Sequence, residues 1–155
     1  MDRSELWQTA FKTNLWVLHH NLSGLTDELI RRRPAEGAAC PGWILGHLVG
    51  GRRLILKLLG RPQAEDPSLA CYGRGSTGAE CDHALAELVA RLDATTALLE
   101  EALEAVEDWD RPALNPALQK EQPLEQVLSF LFMHDSYHLG QLGMARKLLG
   151  LPGVI

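Results

Sequence analysis

The sequence has little of what builds a β-protein. Valine and isoleucine are sparse, Phe, Trp and Tyr together make 6% of the chain, and no segment alternates apolar and polar residues for long. A sheet is therefore excluded as the main architecture. Cysteine is scarce and odd in number, three in 155 residues, and Met1-Asp2-Arg3-Ser4-Glu5 runs straight into an amphipathic pattern without an apolar leader. No disulfide framework is expected: the cysteines read as incidental and reduced, and the protein as cytoplasmic. The longest uncharged apolar stretch, Pro41 to Gly51, is too short to span a bilayer. An excess of basic charge is missing too. A net charge of −5 disfavours a general grip on nucleic acid or an anionic membrane.

What is present is ordinary globular composition, 46% hydrophobic and 23% charged, in a length that suits one domain over residues 1–155. Leu and Ala dominate, and apolar residues recur at helical spacing in four long stretches. The first runs from about Ser4 to Ser23, with Trp7, Phe11, Asn14, Leu18, Leu22 and Leu25 on one face. Thr26 then caps a short helical turn ending at Arg31-Arg32-Arg33. The second starts at Pro41 and stops at Gly60-Arg61-Pro62, with Ile44, His47, Leu48, Gly51, Leu54, Ile55 and Leu58 in its stripe. A long connection, Arg61 to Gly78, follows. Thr77-Gly78-Ala79-Glu80 fits a capping box opening the third helix, which runs to about Asp108. Trp109 to Gln122, with Pro112 and Pro116, reads as a loop. The fourth helix spans Pro123 to Gly150, its last turn carrying Arg146 and Lys147 where the helix dipole favours cations. The expected fold is all-α: a four-helix bundle whose long second connection can cross the bundle's length, leaving the middle helices parallel.

The chemistry lies in the histidines. The stripe predicted for the last helix reads Val127, Leu131, His134, His138, Gln141, Ala145, Leu148, placing two histidines on consecutive core steps. Four-residue spacing lets two imidazoles converge on one ion. His47 occupies the core stripe of the second helix. Three inward imidazoles without a carboxylate beside each are poorly satisfied in a dry core, whereas a divalent ion takes up their lone pairs and keeps an open position. Single core histidines more often bond a backbone carbonyl, so the weight rests on the third ligand from a second helix. His19 and His20 read as surface or boundary residues, and His83, near the start of the third helix, as exposed.

Two rival metal motifs fit poorly. His134-Asp135-Ser136-Tyr137-His138 resembles the HExxH of zinc proteases, but Asp replaces the general-base Glu and no His, Asp or Glu follows His138. A di-iron carboxylate bundle needs two Glu-x-x-His motifs and two further inward glutamates. Glu80-Cys81-Asp82-His83 and Asp135-Ser136-Tyr137-His138 match only in part.

Gly42-Trp43-Ile44-Leu45-Gly46-His47-Leu48, followed far downstream by His134-x-x-x-His138-x-Gly140-Gln141-Leu142 and Leu148-Leu149-Gly150, resembles the DinB/YfiT-like family over nearly the whole chain. Leu139 stands where many members carry a basic residue. The resemblance implies a four-helix bundle with parallel middle helices and a divalent metal on three histidines, which fall here on His47, His134 and His138. It also implies metal-dependent transferases and isomerases that use a low-molecular-weight thiol against a small electrophile, and often a homodimer. Three imidazoles accept zinc, nickel or iron. The same centre can activate water for hydrolysis, with Tyr137 or Asp135 as candidate proton carriers. Asn14 and Gln141 are candidate cavity-lining groups, and Arg31-Arg32-Arg33 and Arg52-Arg53 candidates to attract an anion, although such runs are more often solvated surface. Trp7 and Trp43 are expected in the core. A non-catalytic binding or dimerisation bundle is the competing class.

Overall fold

The computed structural model describes residues 2–154. Its helices are α1 (Arg3–Leu22), α2 (Asp27–Arg31), α3 (Pro41–Leu58), α4 (Leu85–Glu104) and α5 (Leu124–Leu148). A 3₁₀ segment, Pro67–Tyr72, lies in the connection between α3 and α4, and a hairpin of β1 (Pro112–Asn115) and β2 (Lys120–Pro123) joins α4 to α5. Starts are set by local chemistry. Asp2 accepts from the Glu5 N–H while Glu5 accepts from the Asp2 N–H, a reciprocal cap on α1. Thr26 caps α2 as expected, and Pro41 opens α3, where its missing N–H costs nothing.

Two apolar clusters fix the topology. One joins Trp7 and Phe11 near the start of α1, Ile55 and Leu56 near the end of α3, Leu99 and Leu103 near the end of α4, and Val127 and Leu131 near the start of α5. The other joins Leu18 late in α1, Ile44 and Leu48 early in α3, Leu88 and Leu92 early in α4, and Leu142 and Ala145 late in α5. Helices α3 and α4 therefore run the same way, α1 and α5 the opposite way, and residues 59–84 carry the chain back along the bundle. The expected parallel middle helices are present.

Between the clusters lies a polar layer to which every long helix contributes. Arg52 of α3 donates to Asp135 of α5 through Nε (3.1 Å) and Nη2 (3.3 Å), and through Nη1 to Thr96 of α4 (2.9 Å). Asn14 of α1 donates to Asp135 (2.9 Å). All four residues are buried. A buried pair is tolerated only when its remaining hydrogen-bond capacity is filled, as it is here. Arg52 thus departs from the solvated-surface expectation. Arg146 lies in the last turn of α5 as expected and is also buried: at 1% exposure it donates to the carbonyls of Asn21 (2.6 Å) and Pro152 (2.9 Å), satisfying the carbonyl end of α1.

Other boundaries moved. Helix α4 opens at Leu85, not at Thr77–Glu80, because Gly78 takes a positive φ of 70° and the cap is formed by the Glu87 carboxylate on the Ala84 N–H. It ends at Glu104 rather than Asp108, since the acidic run Glu104, Glu107, Asp108 is unfavourable at a helix C-terminus. The expected loop after α4 is a hairpin: Asn115, buried in β1, accepts from the N–H groups of Ala117 and Leu118 and donates to Gln122, tying the turn together. The buried face of α5 is rotated from the predicted stripe, taking in Leu128, Asp135, Leu139 and Leu142 and leaving Leu148 exposed. Cys71 and Cys81 form a disulfide, with Cα atoms 5.6 Å apart, leaving Cys40 free. The expectation of three reduced cysteines is corrected on that point. No helix among the described residues is long and apolar enough to cross a membrane.

Candidate metal centre

His134 and His138 stand one turn apart on α5, and His47 of α3 faces them across the helix pair. Their Nε2 atoms converge: His47 to His134 is 3.2 Å and His138 to His134 is 3.1 Å. Of the two glycines that flank His47, Gly46 is the one the packing requires. Gly51, one turn beyond His47, faces His134, and an added Cβ there would meet its ring only at ordinary contact distance, 3.8 Å from Nδ1. One at Gly46 would lie 2.3 Å from the Tyr72 ring, so only glycine lets that ring lie flat on α3 beside the histidine.

The outer nitrogens of His47 and His138 are engaged by acceptors. His47 Nδ1 donates to the Tyr72 carbonyl at 2.8 Å, and His138 Nδ1 donates to Gln141 Oε1 at 2.7 Å. Gln141 Nε2 in turn donates to the Tyr137 hydroxyl at 3.0 Å, which fixes the amide's orientation. With Nδ1 carrying the proton, Nε2 of both His47 and His138 presents a lone pair. His134 Nε2 can donate to one of them at most, so a lone pair is left facing the centre without a proton. Two imidazoles on one tetrahedral ion at about 2.0–2.1 Å place their nitrogens about 3.3–3.4 Å apart. The observed separations fit a shared divalent cation.

Burial favours the neutral form of the two α5 rings. Desolvation, followed by the neighbouring imidazoles, pushes His138 down to about 4. Desolvation and then His47 lower His134 as well. Neutral imidazole is the form that ligates.

Aromatic rings frame the cluster. Trp43, one turn before His47, stacks on it with ring centroids 4.6 Å apart and planes 11° from parallel. It is half-buried rather than in the core as expected, and its Nε1 donates to Ser76 at 2.7 Å. Tyr137, exposed, lies edge-on to His138 at 5.2 Å. Trp7 is in the core as expected.

The sequence of the chain and this geometry meet in one family. The sequence profile of the DinB superfamily matches residues 10–142, a span that contains all three histidines.

The chain belongs to the DinB superfamily.

Within the solved structures, this DinB-superfamily chain is similar to YfiT from Bacillus subtilis, described as a probable metal-dependent hydrolase with an unusual four-helix bundle topology. Identity is 15%, 98% of this chain and 91% of that chain are covered, and the TM-score is 0.70. That likeness carries the fold. No curated protein sequence matches the chain.

The remaining sequence candidates fall in different places. Asp135 sits in the polar layer, both oxygens engaged by Arg52 and Asn14, and not at the imidazole edges. Asn14 lines a groove of about 400 Å³ between α1 and α5 rather than the histidine cluster. Gln141 is at the cluster, as the partner of His138. His19 and His20 are exposed; His83, expected exposed, is half-buried, between the Tyr72 hydroxyl (2.9 Å) and Ser68 (3.1 Å). Sequence reasoning missed Trp43, Tyr72, Gly46 and Arg52 as parts of the site's surroundings. One signal was present in the sequence, the glycine directly before the stripe histidine His47.

Proposed function

We propose that His47, His134 and His138 hold one divalent transition metal, zinc or nickel foremost and iron as a further occupant. With the metal bound, the protein would act as a transferase of a low-molecular-weight thiol to a small electrophile, or as an isomerase of such a substrate. The observation that supports this is the convergence of three Nε2 atoms, two of whose rings, His47 and His138, are held in the ligating tautomer by Tyr72 and Gln141. A divalent ion bound there supplies Lewis acidity that lowers the pKa of a thiol or water at its open position.

The chain's own residues do the rest. The Tyr72 carbonyl and Gln141 amide fix ring orientation, as outer partners of ligating histidines do. Trp43 covers one face of His47 and keeps water from it. The Tyr137 oxygen accepts from Gln141, so its own proton points outward, where a reacting group can exchange it. We assign Asp135 to holding the helices together and not to proton transfer, because its oxygens are occupied. A homodimer in the cytoplasm completes this reading.

A second reading, hydrolysis, is favoured by the description of YfiT as a probable metal-dependent hydrolase. Both are tested with zinc- or nickel-loaded protein. Small thiols are offered epoxides or activated alkenes with loss of free thiol followed, and simple esters and amides are offered alone. Thiol consumption that is absent in His138→Ala supports the first reading, ester or amide cleavage with the same dependence supports the second, and no turnover above His138→Ala in either assay contradicts both.

A further inference from the structure

His47 owes its setting to one stretch of the crossover connection. The Tyr72 carbonyl receives its Nδ1–H, and the Tyr72 ring fills the notch at Gly46. Trp43, stacked on His47, donates to Ser76, whose hydroxyl donates to the Cys71 carbonyl at 2.6 Å. Gly78 lies against Trp43 so closely that an added Cβ would sit 2.9 Å from its Cδ1. Every one of these loop residues lies within the ring closed by Cys71 and Cys81, and Cys71 immediately precedes Tyr72. Both cysteines are partly exposed at the edge of the second apolar cluster.

We propose that the Cys71–Cys81 bond is a reversible, regulatory disulfide that sets how firmly His47 is held for the metal. This rests on the three-histidine reading above. An external thiolate, from a dithiol protein or a low-molecular-weight thiol, attacks one sulfur of the bond to give a mixed disulfide. A second thiolate of the reductant releases it. The chain gains two electrons and two protons as two thiols, and the reductant leaves as its own disulfide. Opening the ring frees residues 71–81 to move, and with them the Tyr72 carbonyl and the Ser76 anchor of Trp43. Loss of the outer partner of a ligating histidine costs about 10–100-fold in metal affinity.

The test compares oxidised protein with protein reduced by a phosphine, which avoids adding a zinc-binding thiol. Zinc affinity is read by competition with a chromogenic chelator, and amide hydrogen exchange is followed over residues 71–78. The expected result is zinc binding weakened at least tenfold on reduction, with faster exchange in that segment. Cys71→Ser/Cys81→Ser should sit at the weaker affinity and ignore the phosphine, and Cys40→Ser should switch as the native chain does. Unchanged zinc affinity on reduction overturns the switch, whether or not exchange rises, as does a failure of Cys71 and Cys81 to pair under mild oxidant. If neither form binds zinc, the histidine reading itself fails and takes this one with it.

Discussion

Arg52 is a fully buried cation, and among the described residues its counter-ion is Asp135, itself 3% exposed. Removing one member of such a pair strands the other, which typically costs about 3–5 kcal/mol. Asp135→Ala should lose stability of that order in urea unfolding; a loss under 1 kcal/mol would place the pair outside the core account. Gly46→Ala is the finer probe. Its Cβ would meet the Tyr72 ring, so the ring must shift and carry the Tyr72 carbonyl off His47. Overpacking of this kind costs about 1–3 kcal/mol, and zinc affinity should fall with it. Stability lost with affinity intact would show that the carbonyl does not orient the ligand.

The histidines also set a pH dependence. His138 is pushed down to about 4 when folded, whereas an unfolded histidine titrates near 6.5. Between those values the unfolded chain binds more protons, so the stability of the metal-free protein falls as pH drops from about 6.5 toward 4. Thermal melts in chelator should show that slope, and His138→Gln should flatten it. Identical slopes in the two proteins would contradict the buried, neutral assignment.

At the scale of elements, the long helices were legible because each buries a stripe at three- and four-residue steps, and burial of that stripe is what makes the helix. The exposed faces carry no such constraint. The hairpin escaped notice because its strands are four residues each and hold two prolines, so no period-two pattern can develop. Its strands pair over four residues, and its turn is tied by one side chain, Asn115. Asn115→Ala should cost about 1–2 kcal/mol from the hydrogen bonds it leaves unmade, with increased exchange confined to residues 112–123. Loss spread evenly over the bundle would mean the hairpin is not a separate unit. The late start of α4 was likewise hidden. Thr77 to Glu80 has the letters of a capping box, but tertiary links at Cys81 and Gly78 spend those residues on the crossover.

Taken whole, the molecule is two apolar clusters separated by a polar layer, with the three histidines between α3 and α5. The metal-ligand candidates could be read from sequence because histidine on an apolar stripe is conspicuous. The polar layer could not, since Arg52-Arg53 reads as surface charge until a partner from a distant helix is seen to neutralise it. The parallel α3 and α4 follow from the length of the connection, which is the same connection that supplies Tyr72 to His47. Fold and candidate site are thus joined by one crossover segment.

The most direct test of the three-histidine centre is elemental analysis of untagged, unchelated protein beside His47→Ala. One transition-metal ion per chain in the native protein, lost in the variant while its helical circular dichroism is kept, is the predicted result. No metal in either protein after incubation with zinc and nickel, or full occupancy in His47→Ala, would contradict it.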